Sequence, residues 1–177
     1  EIIKEPSLSF YIDDLIEIYP NSKFIWIVRN PFQNIRSILN RLKIKGNYNK
    51  IKLDSFEEIN KNPAWKYNLE FKKNNTNYLY IEAMAHRWNL LVDFYFKNQD
   101  KIILVKYEDF IADKKKYIYK LLDKLEINKI QEIDNFLDIQ YQPKGNASVD
   151  INKFFGEKNK EIILRICKKN MKKLNYL

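Results

Sequence analysis

Two short, uninterrupted apolar runs limit the folds open to this chain more than any other feature of its sequence. The first runs from Phe24 to Val28 and the second from Ile102 to Val105, and neither alternates with polar residues. Runs of this length and composition are typical of strands buried on both faces, as in a parallel sheet covered by helices. Residues 24–28 and 102–105 are therefore predicted to be neighbouring parallel strands.

The segments around these runs have the apolar periodicity of helices. Helices are predicted over residues 11–19, from Asn30-Pro31 onward, over 77–97, from Asp113 onward, over 129–138 and over about 157–174. Residues 44–75 are polar, with Gly46 and Pro63 among them, and are expected to be irregular. Helices that alternate with strands are the signature of an α/β fold.

Two strands are too few for an independent sheet with helices on both faces. No internal repeat or linker divides the sequence, so residues 1–177 are predicted to form one domain, a three-layer arrangement of a parallel sheet flanked by helices. The first residue is Glu1 rather than Met. We therefore expect the domain to be N-terminally incomplete, with further strands in a part that precedes Glu1.

The charge balance favours an anionic partner. The chain contains 32 Lys and Arg against 23 Asp and Glu, a formal net charge of +9. Nucleic acid, a phosphorylated cofactor and a membrane surface are all open as that partner, and solvated surface lysines would explain much of the excess. No stretch of about 18 apolar residues predicts a membrane-spanning helix, and no signal peptide is recognisable.

The cysteine and histidine content limits the chemistry further. Cys167 is the only cysteine and His86 the only histidine, so no intrachain disulfide can form and a zinc site of the usual ligand count is not expected. Cys167 falls among apolar residues at helical spacing, which predicts a buried structural thiol. A reducing compartment is the simplest assumption, and we expect a cytoplasmic protein of bacterial or viral origin.

The carboxyl ends of the two predicted strands hold the residues best suited to bind a ligand, since ligands of open α/β sheets bind there. Arg29 ends the first strand beside a helix N-terminus, which favours anions, and Tyr107 follows the second strand. Ser37 and Arg41 lie further along the polar face of that helix, and together these groups suit a phosphate. In the alternative interpretation Arg29 pairs with a carboxylate such as Asp109, and Ser37 is only a surface residue.

Two motifs resemble those of sulfotransferases, which move a sulfuryl group from 3′-phosphoadenosine 5′-phosphosulfate (PAPS) to an acceptor. The segment 23–31 (KFIWIVRNP), with Ser37 eight residues after Arg29, resembles the 3′-phosphate motif of that family. The segment 104–110 (LVKYEDF) resembles its second strand and Tyr-Glu-Asp turn. The resemblance implies that Arg29 and Ser37 hold the 3′-phosphate and that Tyr107 contacts the adenine end.

Further residues resemble parts of the family in the expected order along the chain. Lys4, in Lys-Glu-Pro, resembles a lysine that helps to stabilise the transferring sulfuryl group in protein-tyrosine sulfotransferases, and Arg41 resembles an additional phosphate-contacting arginine of that branch. Ser148, in Asn-Ala-Ser, resembles a serine on a loop that closes over the nucleotide. Asn175 and Tyr176 resemble the Gly-Tyr that closes many bacterial members. The resemblance thus implies Lys4 and Ser148 as catalytic residues, with Ser148 also contacting the cofactor.

The 5′-phosphosulfate loop of the family has no counterpart here. It is a Gly-containing turn in a strand–loop–helix expected well before Lys4, and the three glycines, Gly46, Gly145 and Gly156, have no such setting. The usual general base also comes from that part, and Pro6 stands where cytosolic members have a histidine. An Arg-Lys-Gly run near the end is missing too. The sequence therefore predicts the 3′-phosphate half of the site without the 5′ half.

The function predicted from the sequence is sulfuryl transfer from PAPS to a hydroxyl or amine, on an incomplete P-loop-like sulfotransferase fold. Transfer is expected by in-line displacement without a metal, with Lys4 and Ser148 offsetting charge on the sulfonate and the leaving phosphate. The chain alone is expected to be inactive or weakly active. A non-catalytic nucleotide-binding remnant and a basic nucleic-acid-binding domain are the alternatives. The acceptor stays open among carbohydrate, small molecule and protein tyrosine, with its pocket expected from residues 44–75.

Overall fold

The core of the fold is a sheet of two parallel strands. The computed structural model describes residues 2–70, 78–139 and 149–177. Strand β1 (Phe24–Val28) pairs with β2 (Ile102–Lys106) along its whole length, with Trp26 opposite Leu104. The prediction of two neighbouring parallel strands is confirmed, and the chain is a mixed α/β protein that is mostly helical.

Helices make up most of the described residues. In chain order the α-helices are α1 (Ile12–Ile18), α2 (Pro31–Arg41), α3 (Glu57–Asn60), α4 (Pro63–Glu70), α5 (Tyr80–Lys97), α6 (Tyr107–Ala112), α7 (Lys114–Leu125) and α8 (Ile151–Lys173). Short 3₁₀ turns cover Pro6–Tyr11, Leu53–Ser55 and Asp134–Phe136. None of the helices in these ranges is both long enough and apolar enough to cross a bilayer.

Helix α2 begins where the sequence signals predicted. Pro31 occupies the first helical position, and the side chain of Asn30 accepts a hydrogen bond of 3.0 Å from the backbone N–H of Phe32. This satisfies one of the donors that a helix N-terminus leaves unpaired. The apolar face of α2, which includes Ile35 and Leu39, is fully buried. The packing of that face fixes the orientation of the helix at the carboxyl end of β1.

The largest packed layer lies between α5 and α8. Met84 and Trp88 of α5 and Ile163 of α8 are buried in the same cluster as Trp26 of β1. Cys167 is fully buried there, and burial raises the pKa of its thiol to about 12. The prediction of a buried structural thiol is confirmed, because a cysteine that remains protonated in an apolar layer is a poor nucleophile.

Three predicted segments differ from the structure. Residues 129–138 form only the 3₁₀ turn Asp134–Phe136, and Ile130 is 93% exposed, so no described element covers the apolar face that a helix needs there. Residues 44–70 are not wholly irregular, since α3 and α4 lie within them. The helical range α8 begins at Ile151, but Gly156, with a φ of 67°, divides it by a kink; its second part begins near residue 157 as predicted, and the helical residues before Gly156 were not predicted.

One face of β1 is open to solvent in the part of the chain that the structure describes. Trp26 and Val28 are 8% and 4% exposed, whereas Ile25 and Ile27, on the opposite face, are 45% and 64% exposed. The sequence prediction of a strand buried on both faces is therefore wrong for these residues. Helices cover one face of the sheet here, and the third layer stays a prediction.

Candidate anion-binding site

The carboxyl ends of the two strands bring Arg29 and Tyr107 into contact. The guanidinium carbon of Arg29 lies 4.6 Å from the centroid of the Tyr107 ring, within the range of a cation–π interaction. Tyr107 is the first residue of α6, directly after β2. The backbone carbonyl of Arg29 accepts a hydrogen bond of 2.9 Å from the indole Nε1 of Trp88. The position of Arg29 is therefore fixed both by the pairing of the two strands and by the buried Trp88.

The guanidinium of Arg29 has no carboxylate partner among the described residues. None of the ion pairs found there includes Arg29, and its Nε is buried without a hydrogen-bond partner. Asp109, the partner considered in the alternative interpretation, is exposed on α6 and forms no such pair. A buried, unsatisfied donor on a cation is costly, so this group suits an anionic ligand.

Glu108, which follows Tyr107 directly, accepts hydrogen bonds from two uncharged donors. Glu108 accepts a hydrogen bond of 2.9 Å from the backbone N–H of Asn30 through one oxygen. Its other oxygen accepts a bond of 2.9 Å from the hydroxyl of Tyr176. Burial, and then the bond to Glu108, raise the pKa of Tyr176, so the phenol keeps its proton and donates.

A second arginine lies near the first. Arg36 is only 4% exposed, and its Nε donates a hydrogen bond of 3.1 Å to the side-chain oxygen of Gln33. Burial, and then the charge of Arg29, lower the pKa of Arg36. Arg36 is not among the residues predicted for the site, because the polar face predicted for α2 holds residues spaced by four, such as Ser37 and Arg41. The three-residue spacing from Gln33 was the signal that could have found it.

Ser37 and Arg41 lie on the exposed side of α2. Ser37 follows Pro31 by six positions, about 9 Å along the helix axis. No hydrogen bond joins either side chain to Arg29 or Tyr107 in the described ranges. The structure therefore brings Arg29 and Tyr107 together, and it places Ser37 and Arg41 on α2 with no hydrogen bond to either of them in the described part of the chain.

Of the two residues expected to be catalytic, only Lys4 is among the described residues. Lys4 is exposed in the extended segment before the first 3₁₀ turn. Its neighbour Glu5 caps that turn by accepting a bond of 3.0 Å from the backbone N–H of Ser7. Ser148 lies outside the described residues. The residues that follow it enter α8, where the Phe155 ring lies 6.2 Å from the ring of Phe32 in α2.

His86 does not belong to the cluster around Arg29. It stacks on Tyr78 with ring centroids 4.7 Å apart, and burial lowers its pKa against the opposing charge of Glu82. His86 and Trp88 are two positions apart on α5 and so about 200° apart around the helix. Since Trp88 faces Arg29, His86 points elsewhere. No group of three metal-ligating side chains occurs in the part of the chain that the structure covers.

A separate surface cleft lies at the amino ends of the strands. Phe24 and Ile102 line it, together with Lys23, Lys101 and Lys124. In sheets of this kind ligands bind at the carboxyl ends of the strands, and Lys23 already faces Glu126 at 3.8 Å. The cluster around Arg29 is therefore the better candidate.

The fold and the cluster define an α/β protein with a cationic group at the carboxyl ends of parallel strands. The family model described as "Sulfotransferase family" matches residues 2–132, more than half of the chain. The chain therefore belongs to the sulfotransferase family, whose members are transferases that typically use PAPS. No curated protein and no solved structure gives a significant match.

Proposed function

We propose that this chain binds the adenosine 3′-phosphate end of PAPS and provides that half of a sulfuryl-transfer site. The observation that carries the proposal is the state of Arg29, a guanidinium with a buried, unpartnered Nε and no carboxylate pair among the described residues. Family membership makes PAPS the expected donor. The exposed 3′-phosphate of that donor is an anion of the kind that an arginine fork binds.

The surroundings of Arg29 favour a phosphate over a smaller anion. Arg36 adds a second positive charge close to the first, and the start of α2 adds the partial positive charge of a helix N-terminus. Ser37 would donate a hydroxyl and Arg41 a further cation from the same helix. The Tyr107 ring covers one face of the Arg29 guanidinium, and we propose that Tyr107 also contacts the adenine end of the nucleotide.

In the proposed reaction the acceptor oxygen or nitrogen attacks the sulfur of PAPS. The bond from sulfur to the bridging oxygen of the 5′-phosphate breaks, and adenosine 3′,5′-bisphosphate leaves while a base takes the acceptor proton. Lys4 and Ser148 are proposed to offset charge on the sulfonate and on the leaving phosphate. No step of this scheme requires a metal. The acceptor stays open among carbohydrate, small molecule and protein tyrosine.

The 5′ half of the site is proposed to come from a Gly-containing strand–loop–helix that is not among these 177 residues. The open face of β1 supports this, because Ile25 and Ile27 are exposed on a strand whose family setting is a helix-covered sheet. Addition of a strand and a helix would cover apolar side chains of this kind and complete three layers.

Two alternatives predict different behaviour. A nucleotide-binding remnant is favoured by the missing phosphosulfate loop, and it would bind the same nucleotide without turnover. A nucleic-acid-binding domain would need a continuous basic face. Instead several lysines form ion pairs with surface carboxylates. Lys97 pairs with Asp13 at 2.6 Å, and Lys115 pairs with Asp134 at 2.7 Å. We therefore propose no nucleic-acid partner.

The test is calorimetric titration with three nucleotides. Adenosine 3′,5′-bisphosphate should bind about 10- to 100-fold more tightly than adenosine 5′-phosphate, since hydrogen bonds to charged groups contribute roughly 1.5–3 kcal/mol. Adenosine 2′,5′-bisphosphate is the matched control, with the same charge in another position, and should bind more weakly than the 3′ isomer. Equal affinity for both isomers would show that only net charge is recognised, and the proposal would then be wrong.

A further inference from the structure

The end of α8 turns the chain back toward the candidate site. Asn175 adopts a left-handed conformation with a φ of 55°. The backbone N–H of Tyr176 donates to the carbonyl of Met171 at 2.9 Å, and that of Asn175 donates to Lys172 at 3.1 Å. This pair of bonds is the Schellman pattern of a helix C-terminus, and it reverses the direction of the chain. The reversal places the Tyr176 side chain against the carboxyl end of β2.

Two residues at that strand end hold Tyr176. Its hydroxyl donates to Glu108 at 2.9 Å, and the ammonium of Lys106 lies 4.5 Å from the centroid of its ring. Tyr176 is half-buried there. Tyr176 lies beyond residues 2–132, the part that the family model matches.

Glu108 links this tyrosine to the peptide that carries Arg29. One carboxylate oxygen receives the Tyr176 hydroxyl, and the other receives the backbone N–H of Asn30. Asn30 follows Arg29 directly and caps α2 with its side chain. A continuous row of hydrogen bonds thus runs from the end of α8 to the turn that begins the phosphate-binding helix.

We propose that Tyr176 is a positioning residue for nucleotide binding, because it holds Glu108 on Asn30 and away from Arg29. Without the phenol, Glu108 loses one of its two neutral donors and is free to pair with the guanidinium. The carboxylate would then compete with the phosphate for Arg29. This inference rests on the proposed function. It makes nucleotide binding and docking of residues 174–177 mutually stabilising, since coupling between two binding events is reciprocal.

The main test is Tyr176→Phe, measured by calorimetry with adenosine 3′,5′-bisphosphate. We expect affinity to fall about 10- to 100-fold, the range for one lost hydrogen bond to a charged group. Tyr119→Phe is the matched control, because it removes a phenol–glutamate bond of 3.1 Å to Glu132 on the surface. That control should bind like the unmodified chain. Glu108→Gln with Tyr176→Phe should regain affinity relative to Tyr176→Phe alone, because the amide cannot neutralise Arg29.

Two variants of Asn175 test the turn itself. Asn175→Gly keeps a residue that readily adopts the left-handed conformation and should leave affinity unchanged, whereas Asn175→Val strains that conformation and should weaken binding as Tyr176→Phe does.

Hydrogen exchange measures whether nucleotide binding protects the end of the chain, an effect not expected if Tyr176 has only a structural role. Bound bisphosphate should slow exchange of the amides of residues 174–177 in the unmodified chain, and should do so much less in Tyr176→Phe.

The outcomes separate the two proposals. If the unmodified chain binds the bisphosphate, Arg29→Ala weakens binding strongly and Tyr176→Phe binds like Tyr119→Phe, then the positioning role is wrong and the phosphate site stands. If Arg29→Ala leaves affinity unchanged, the phosphate site is wrong and the inference about Tyr176 is overturned with it. A loss in Tyr176→Phe that the added Glu108→Gln restores supports both.

Discussion

Replacing Arg29 with alanine is expected to weaken binding of adenosine 3′,5′-bisphosphate by about 2–4 kcal/mol, or roughly 30- to 700-fold. The reason is that the Arg29 guanidinium, whose Nε is buried without a hydrogen-bond partner, is the proposed charge partner of the 3′-phosphate. The Tyr107 ring and the Trp88 indole both contact Arg29, and the charge of Arg29 acts on the pKa of Arg36. Removal of one side of a partly buried charge pair also leaves the phosphate without its partner.

Calorimetry on two control variants makes this result specific. Arg165→Ala removes an arginine of α8 whose ion pair with Glu82 spans 3.3 Å, away from the proposed site, and should bind normally. Arg29→Lys keeps the charge and loses the two-pronged donor geometry, so its affinity should fall between the other two. Equal affinity of Arg29→Ala and the unmodified chain would contradict the assignment.

The largest expected effect concerns turnover. Residues 1–177 alone should bind the bisphosphate and transfer sulfate far below the rate of a complete enzyme, because a donor must be held at both ends for its S–O bond to align with the acceptor. Positioning of this kind supplies roughly 7–11 kcal/mol of a barrier. A version that also carries a Gly-containing strand–loop–helix should gain about 10⁵-fold or more in rate.

A radiolabelled-donor assay on both versions, with carbohydrate, small-molecule and tyrosine-peptide acceptors, measures this difference. A Gly→Asp change in the added loop is the control, since it keeps the added strand and helix and spoils the backbone cradle for the phosphosulfate. Fast transfer by residues 1–177 alone would show that a phosphosulfate site exists within them. No transfer by the extended version, despite normal bisphosphate binding, would favour the nucleotide-binding remnant.

The sequence predicts the features of this fold that depend on local patterns. The runs that form β1 and β2 are continuous and apolar, and the start of α2 carries a cap and a proline, so strand positions and the helix start follow from the sequence. The contact of Arg29 with Tyr107 was foreseeable on one further assumption, that parallel strands end at the same edge of a sheet.

The features that the sequence did not predict depend on contacts between distant segments. The bond from Tyr176 to Glu108 joins residues 68 positions apart, and no periodicity marks it. Arg36 is buried although a charged residue ordinarily predicts an exposed position. The exposure of Ile27 also depends on distant segments. A continuous apolar run indicates that a strand is suited to burial, but it does not indicate which element covers each face.

The central claim is that the 3′-phosphate of the nucleotide binds at the carboxyl end of β1. A crystal structure of the chain with adenosine 3′,5′-bisphosphate tests it most directly. We expect the 3′-phosphate within hydrogen-bonding distance of the Arg29 guanidinium and the Ser37 hydroxyl, with Glu108 still bonded to Asn30 and Tyr176. A bound nucleotide whose 3′-phosphate contacts neither Arg29 nor Ser37, or which occupies the cleft at the amino ends of the strands, would contradict it.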